Sequence, residues 1–342
     1  MERQPIDFVL TWVDGADPAW QTEKDRALEE PAAKAAIACG LIDAHGARYR
    51  DWDNLQYWFR GVEKYAPWVN RIYFVTWGHV PSWLNTEHPK LHIVRHEDYI
   101  PGEYLPTFSA NPIELNLHRI EGLAEQFVFF NDDLFLTAPV QPEDFFQNGL
   151  PRDALSESPV SCTGRQTWNY IRMNSTALIG RHFSRREARK RLKGKWFSPR
   201  VPRDLVKNLA LSLLRREDLF GLSVHHLPQP LLKTTLQTLW ELEPEWLRET
   251  SSHKFRDVRD VNQYIFKHYQ LLTGQFEPYN IYKYAKAYCD RWNPQEAADA
   301  IRQRRYRMIC LNDCPELDYE QAKTVTNAAF QEVFPEKSAF ER

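Results

Sequence analysis

Two adjacent carboxylates interrupt an apolar stretch near the middle of this 342-residue chain. The stretch, residues 127–136, reads FVFFNDDLFL and has Asn131, Asp132 and Asp133 at its centre. An unpaired charge is costly to bury, so these side chains need a compensating partner. Carboxylate and amide oxygens are preferred ligands of Mg²⁺, and phosphate oxygens complete its octahedral shell. The stretch therefore indicates a metal and phosphate site, with a pair of turn or helix-capping aspartates as the alternative.

The order of apolar stretches predicts the elements that position these carboxylates. Short runs of β-branched and aromatic residues predict buried strands, and the segments between them predict helices. The strands are predicted at 6–13, 72–77, 91–96 and 127–131, and the helices at 17–38, 52–65 and 111–125. Alternation of nearly continuous apolar strands with helices is typical of an α/β fold with a mostly parallel sheet.

Polar residues follow three of the predicted strands. Asp14 comes after the first strand, Thr76 closes the second, and Asp132 and Asp133 end the fourth. In open α/β sheets, ligands bind beyond the carboxyl ends of the strands. These residues are therefore expected at one rim of the sheet, where a cation and phosphates would compensate the carboxylates.

The region after residue 150 changes in character. Residues 181–216 hold thirteen Lys and Arg against two acidic residues. This imbalance predicts a contact with an acidic polymer or an anionic membrane surface, with a solvated helical face as the alternative. The expected polymer contacts are Arg185, Arg186, Arg189, Lys190 and Arg191. Apolar residues near the end of the segment predict a stripe for a core or an interface: Leu205, Val206, Leu209, Leu213 and Leu214.

Composition narrows the class of protein. A net charge of −2 gives no electrostatic indication of a nucleic-acid partner. Five irregularly spaced cysteines argue against a disulfide framework and fit a reducing compartment, and Cys310 and Cys314 are interpreted as packing residues. Since no apolar run has membrane-spanning length, the protein is expected in the cytoplasm or peripherally on the inner face of the membrane.

Residues 222–342 are predicted to be mostly helical, with proline residues between the helices. The chain is thus divided into an α/β core at 1–150, a basic and mostly helical insert at 151–221, and a helical part at 222–342. The predicted helices of the last part are 229–242, 258–273, 279–289, 294–306 and 318–333.

Further polar clusters lie outside the predicted rim. They are Glu114, the pair His225-His226, Arg256, and the pair Asn312-Asp313. Each alone has an ordinary structural interpretation, such as a first-turn acid or a buried histidine. Their order along the chain is more informative than any one of them.

The ordered set resembles the Stealth family, which comprises bacterial capsular polysaccharide phosphotransferases and the lysosomal-enzyme N-acetylglucosamine phosphotransferase. The resemblance lies in IDFVLTWVDGADPAW (6–20), residues 48–85 and 105–135, HHLPQPLLKTTLQTLWE (225–241) with SSHKFRDVRDVNQY (251–264), and residues 308–341. It covers nearly the whole chain except about 150–220.

The resemblance implies a nucleotide-sugar-binding core like that of the GT-A glycosyltransferases. It implies transfer of hexose-1-phosphate from a nucleotide diphosphosugar, expected to be UDP-linked, to a saccharide hydroxyl, forming a phosphodiester in capsular or exopolysaccharide. A metal-dependent glycosyltransferase that attacks at C1 and a non-catalytic polysaccharide-binding protein are the alternatives. The oligomeric state is left open.

The resemblance also implies roles for residues. Catalytic roles fall on Glu114, His226, Arg256 and Asp14, and binding of Mg²⁺, or of Mn²⁺ in its place, falls on Asp132, Asp133, Asn312 and Asp313. The candidate donor-binding residues are Thr11, Trp12, Val13, Thr76 and Asn111.

The residue types fit phosphoryl transfer. The planar fork of Arg256 suits bidentate contact with phosphate. His226 suits proton transfer near neutral pH, and Glu114 is a rival for the role of general base.

Overall fold

The fold is built around a central sheet in a computed structural model that describes residues 4–161, 167–214, 216–289, 291–314 and 316–342. The strands are β1 (Ile6–Thr11), β2 (Ile42–Asp43), β3 (Ile72–Thr76), β4 (Leu91–Arg95), β5 (Gln126–Asn131), β6 (Leu134–Leu136), β7 (Phe146–Gln147), β8 (Leu150–Asp153), β9 (Gln229–Leu232), β10 (Arg256–Asp257), β11 (Glu277–Pro278), β12 (Ala285–Tyr288) and β13 (Met308–Leu311). The α-helices are α1 (Pro18–Leu28), α2 (Pro31–Ala38), α3 (Leu55–Tyr65), α4 (His96–Tyr99), α5 (Ala110–Leu115), α6 (Pro142–Phe145), α7 (Thr167–Gly180), α8 (Arg185–Arg191), α9 (Lys193–Trp196), α10 (Pro202–Ser212), α11 (Lys233–Leu242), α12 (Pro244–Ser252), α13 (Tyr264–Thr273), α14 (Pro294–Arg302) and α15 (Tyr319–Val333).

The central sheet has five strands in the order β4-β3-β1-β5-β9. The first four are mutually parallel, and β9 pairs antiparallel with β5 at the edge. The predicted α/β fold with a mostly parallel sheet is therefore confirmed. The sheet takes β9 from the third predicted part of the chain, and the three-part division itself stays a prediction.

Alternate residues of the strands pack into two separate cores. On one face of the sheet, Phe8, Phe74 and Phe130 belong to a core that also contains residues of α3 and α15. On the other face, Val9 and Phe129 belong to a core with residues of α11 and α13. Burial on both faces explains why these strands are apolar throughout rather than alternating with polar residues.

The C-terminal part is largely helical, as predicted, but it also contains short strands that were not predicted. β12 and β13 form a second sheet with β6, in the order β12-β13-β6, and Cys310 lies opposite Leu134. The segments predicted as helices at 229–242 and 279–289 contain β9 and β12 instead of being helical throughout. The second sheet brings residues after β13 next to the carboxylates that follow β5.

Two predicted helices are shorter than expected. The one predicted at 17–38 is divided at Pro31, which lacks the backbone N–H that a continuous helix needs, into α1 and α2. The one predicted at 111–125 ends at Leu115, and the side-chain amide of Asn116 donates to Pro112 O and Ser251 Oγ. Within the described ranges, no helix is both long and apolar enough to cross a membrane.

One residue of the basic segment is a core residue rather than a surface contact. The Arg185 side chain is 1% exposed, forms an ion pair with Glu157, and donates to the carbonyl oxygens of Leu211 and Leu214. The expectation that Arg185 contacts an acceptor polymer is therefore wrong. Arg215 lies outside the described residues.

Candidate active site

The carboxyl ends of β1, β3 and β5 meet at one edge of the central sheet. In the strand register, Thr11 lies opposite Val75 on one side and Asn131 on the other. Asp14, Thr76 and the pair after Asn131 therefore leave the sheet at the same edge. The arrangement follows from the parallel strand order alone.

Glu114 is a buried carboxyl group at this edge. Its Oε1 accepts a hydrogen bond of 3.1 Å from Asn131 Nδ2. Burial raises the pKa of Glu114 to about 7, although the bond from Asn131 and the charges of Arg256 and His226 oppose this shift. A carboxyl group that titrates near neutral pH is suited to general acid–base chemistry.

His226 and Asp133 form an ion pair beside Glu114, with His226 Nε2 3.3 Å from Asp133 Oδ1. Burial lowers the pKa of His226, but the charge of Asp133 outweighs burial and raises the value to about 9. Burial alone would raise the pKa of Asp133. The charge of His226 and hydrogen bonds from His226 and Cys310 outweigh burial, so the pKa of Asp133 is lowered. His226 is therefore an imidazolium at neutral pH, and this cation is suited to stabilise a negatively charged group rather than to accept a proton.

Asp132 and Asp51 extend the acidic edge. The Asp132 side chain is exposed but crowded by protein, and loss of hydration raises its pKa to about 7, with the charges of Asp133 and Asp51 adding to the shift. Loss of hydration also raises the pKa of Asp51, and Asp14 contributes. The charges of Asp133 and Asp51 raise the pKa of Asp132, and such crowding of like charges indicates a place for a cation.

Sequence reasoning missed Asp51. It lies in RDWDN, directly before α3, within a segment that matches the family pattern but follows no predicted strand. The strand-end rule therefore could not find it. The density of aspartates just before a predicted helix was the available signal.

Asn312 and Asp313 reach the same edge through the second sheet. The backbone N–H of Leu311 donates to Asp133 O over 2.9 Å, so the two residues that follow lie beside Asp133. Asp313 Oδ1, however, is 3.5 Å from Arg50 Nη1. Since Arg50 already supplies a positive charge, metal binding by Asp313 stays a prediction, as it does for Asn312.

Contacts around His79 hold the ends of β1 and β3, where predicted donor-binding residues lie. The His79 ring accepts a 2.7 Å bond from the Asp14 backbone N–H through Nε2, and Thr76 Oγ1 donates to the His79 carbonyl over 2.7 Å. Trp12 is buried and stacks on Phe74. These contacts fix the backbone of the edge, and a donor-binding role for Thr11, Trp12 and Thr76 stays a prediction.

Other predicted residues lie on neighbouring elements. Asn111 is buried in α5, and its amide donates to Asp260 Oδ2 over 2.7 Å, which is sufficient reason for a buried asparagine. Val13 packs against a small core around Trp20. Arg256 lies in β10, close enough to Glu114 for its charge to lower the pKa of that carboxyl.

The loop that carries His226 is fixed through its neighbour His225. The His225 carbonyl accepts hydrogen bonds from Gln229 Nε2 at 3.0 Å and Tyr264 Oη at 3.4 Å. Tyr282 Oη lies 3.2 Å from His225 Nε2 and donates to Asp204 in α10. His225 thus has a structural role, and its contacts position the imidazole of the next residue.

Comparison with known proteins identifies relatives over the whole chain. Residues 4–30 match the model of Stealth protein conserved region 1, and residues 48–153 match that of conserved region 2. The chain is 40% identical to the capsular polysaccharide phosphotransferase WcwK of Streptococcus pneumoniae, over 98% of this chain and 99% of that one. It is 40% identical to the receptor polysaccharide phosphotransferase WefC of Streptococcus oralis, over 98% and 99%.

Among solved structures, the galactosyltransferase LgtC in complex with sugar analogues matches 94% of this chain and 95% of its own, with a TM-score of 0.40 and 10% identity.

Proposed function

The chain belongs to the Stealth family of proteins, whose relatives here are polysaccharide phosphotransferases, and on this premise we propose its reaction. It transfers hexose-1-phosphate from a nucleotide diphosphosugar to a saccharide hydroxyl, and so forms a phosphodiester in a capsular or exopolysaccharide. One observation carries the proposal. The Glu114–Asn131 pair, the His226–Asp133 pair and the acidic edge converge at the carboxyl end of a parallel sheet.

Glu114 is the general base of the proposed reaction. Its pKa of about 7 leaves a large fraction ionised at neutral pH, ready to accept the proton of the acceptor hydroxyl. His226 is already protonated and contacts Asp133. These protonation states favour Glu114 over His226 as the general base, a choice that the residue types alone left open.

His226 and Arg256 stabilise the charge on the phosphoryl oxygens. Catalysis of phosphoryl transfer is mainly positioning and electrostatic stabilisation of this charge. The imidazolium of His226 carries two N–H donors, of which Nε2 faces Asp133, whereas the guanidinium of Arg256 offers a planar fork. Since the acceptor attacks phosphorus, the bond between C1 and its oxygen stays intact and the anomeric configuration of the sugar is retained.

The acidic edge fits a hard divalent cation. The donors are carboxylate oxygens of Asp132 and Asp133, with Asp14 and Asp51 nearby, and such oxygens suit Mg²⁺, or Mn²⁺ in its place. When bound, the cation would neutralise the donor diphosphate. The raised pKa of Asp132, to which the charges of Asp133 and Asp51 contribute, is the observation that supports a cation there.

Product analysis separates this reaction from its main alternative. The chain is incubated with a panel of nucleotide sugars, an acceptor saccharide and Mg²⁺. Phosphoryl transfer releases a nucleoside monophosphate, and a UDP-linked donor is the expected substrate. Release of a nucleoside diphosphate would instead indicate glycosyl transfer by attack at C1.

We further propose that α10 holds the protein on an anionic membrane surface on the cytoplasmic side. This helix buries polar residues and exposes apolar ones, the reverse of the usual arrangement. Asp204 and Asn208 are buried, whereas Val206, Leu209 and Leu213 are 67%, 49% and 82% exposed. The exposed residues are spaced i, i+3, i+7 and so share one face of the helix. The Asn208 amide donates to Leu155 O and Trp196 O, which explains its burial.

The apolar side chains favour lipid over an acidic polymer as the partner of this face. By helical spacing, Arg203 and Lys207 both lie on one side of the apolar stripe, where Arg203 stacks on Tyr282 and Lys207 donates to Ser223 Oγ. Acyl chains beneath anionic headgroups offer a complement to the exposed apolar residues, which a charged polysaccharide lacks. The acidic polymer becomes the competing outcome of the test.

Liposome co-sedimentation tests the membrane proposal. The double variant Val206→Ser/Leu213→Ser should lose binding to phosphatidylglycerol vesicles, and Leu242→Ser, a change at an exposed leucine of α11, should not. If the double variant binds vesicles as wild type does, the membrane proposal is wrong. A changed preference for long over short acceptors in solution would instead support the polymer contact.

A further inference from the structure

Three sulfur and nitrogen donors lie together next to Asp133. The side-chain donor atoms of His226, Cys289 and Cys310 all lie within 4.8 Å of one another. The three residues come from the loop before β9, the residue after β12, and β13, so the grouping is created by the fold. The sequence interpretation of Cys310 as a packing residue missed it, because the pairing of β12 with β13 is what brings Cys289 close to Cys310.

Asp133 supplies a fourth donor at the same place. Its Oδ1 is 3.3 Å from His226 Nε2, and its Oδ2 is 3.3 Å from Cys310 Sγ. One carboxylate therefore bridges two members of the group. The cysteines are reduced thiols rather than halves of a disulfide.

We propose that His226, Cys289 and Cys310, with Asp133 as the fourth ligand, form a binding site for Zn²⁺ or a similar soft divalent ion. Two thiolates, one imidazole and one carboxylate are a ligand set that zinc takes in tetrahedral geometry, and that Mg²⁺ does not favour. Tetrahedral zinc with bonds of about 2.0–2.3 Å places its ligand atoms about 3.3–3.8 Å apart. The donor atoms of His226, Cys289 and Cys310 need to approach one another by at most about 1.5 Å to reach that geometry.

Zinc at this site inhibits the enzyme. Resting on the proposed function, the reason is that zinc would occupy His226 Nε2 and an oxygen of Asp133, the groups assigned to the phosphate and to the activating cation. A bound soft ion would thus prevent these groups from binding the phosphate and the hard activating cation. The edge carries two overlapping sites that select different metals by ligand chemistry.

Binding is tested by titrating the metal-free protein with Cd²⁺, in a phosphine reductant, and following sulfur-to-metal charge-transfer absorption. One Cd²⁺ per chain is expected. Cys289→Ala and Cys310→Ala should each weaken binding by more than the ~10–100-fold that loss of an outer-shell partner costs. Cys39→Ala, at an exposed thiol after α2, is the matched control and should bind as wild type does. Absence of the absorption in the wild type, or an unchanged Cd²⁺ affinity in both variants, overturns the proposal.

Inhibition is tested separately, with each variant compared to its own activity without zinc. Zinc should inhibit the wild type and Cys39→Ala at concentrations that leave Cys289→Ala active. Equal inhibition of Cys289→Ala would mean that zinc acts only at the carboxylates, and would overturn the inhibitory role. Because the Cd²⁺ titration needs no substrate, its result stands even if the proposed reaction fails.

Discussion

Asp133→Asn should lower the pKa of His226. The substitution keeps the size of the side chain and removes the charge that raises the His226 pKa to about 9. The imidazole stays buried, and burial alone favours its neutral form. The pKa should therefore fall towards, or below, the ordinary histidine value of about 6.5.

The magnitude follows from the pair itself. A fall from about 9 to about 6.5 corresponds to about 3 kcal/mol, at about 1.36 kcal/mol per unit. Because 33% of the His226 side chain is exposed, solvent screens part of this interaction, and about 2 kcal/mol is expected. The free energy of unfolding of Asp133→Asn should be lower than that of the wild type by the same amount.

The sign of the stability effect can be worked out for the folded state. A His226 pKa raised by folding stabilises the protein fully below pH ~6.5, and this contribution is lost as pH rises through about 9. The lowered pKa of Asp133 makes its own contribution fall away in acid. Urea unfolding should therefore show the largest gap between wild type and Asp133→Asn at mildly acidic pH, narrowing towards pH 9.

The assay is an NMR titration of ring-labelled histidines in EDTA, which removes bound cations. A His226→Gln variant assigns the resonance, and the other ten histidines serve as internal controls. An unchanged His226 midpoint in Asp133→Asn would refute the ion pair and the protonation states derived from it. A midpoint that rises would contradict the assignment of Asp133 as its cause.

Three other substitutions, the last with a matched control, test separate parts of the account. Glu114→Gln should lower turnover by at least ~100-fold and remove an ionisation near pH 7 from the pH–rate profile; an ionisation that persists would exclude Glu114 as the base. Asp132→Asn should raise the Mg²⁺ concentration needed for half-maximal rate, and an unchanged requirement would contradict the metal assignment. Arg185→Met should cost about 3–5 kcal/mol in urea unfolding because it leaves Glu157 buried and unpaired, whereas Arg186→Met, at an exposed pair, should change stability by less than about 0.5 kcal/mol.

The central sheet was predictable because its strands are buried on both faces. Runs such as FVFF in β5 are too short for a buried helix and consist of aromatic and β-branched residues, which identifies them as strands. β9 was missed because QPLL is only four residues long and continues directly into the helical pattern of α11. Its pairing with β5, in which Leu232 lies opposite Gln126, is a tertiary contact that no local pattern reports.

The site residues likewise fall into those that the sequence predicted and those that it did not. Asp14, Asp132 and Asp133 were found because a parallel sheet places its strand ends together, whatever the loops do. Asp51 and Cys289 were not, since their position depends on how a loop and a second sheet fold back onto that edge. The burial of Arg185 was equally hidden, because a run of basic residues does not reveal which one finds a buried carboxylate.

The fate of the oxygen between C1 and phosphorus tests the central claim most directly. A nucleotide sugar labelled with ¹⁸O at this position is converted with acceptor and Mg²⁺, and the products are analysed by ³¹P NMR, in which the heavy isotope shifts the phosphorus resonance. Attack at phosphorus predicts that the label stays in the new phosphodiester and that an unlabelled nucleoside monophosphate is released. Recovery of the label in a nucleoside diphosphate would show attack at C1 and contradict the account.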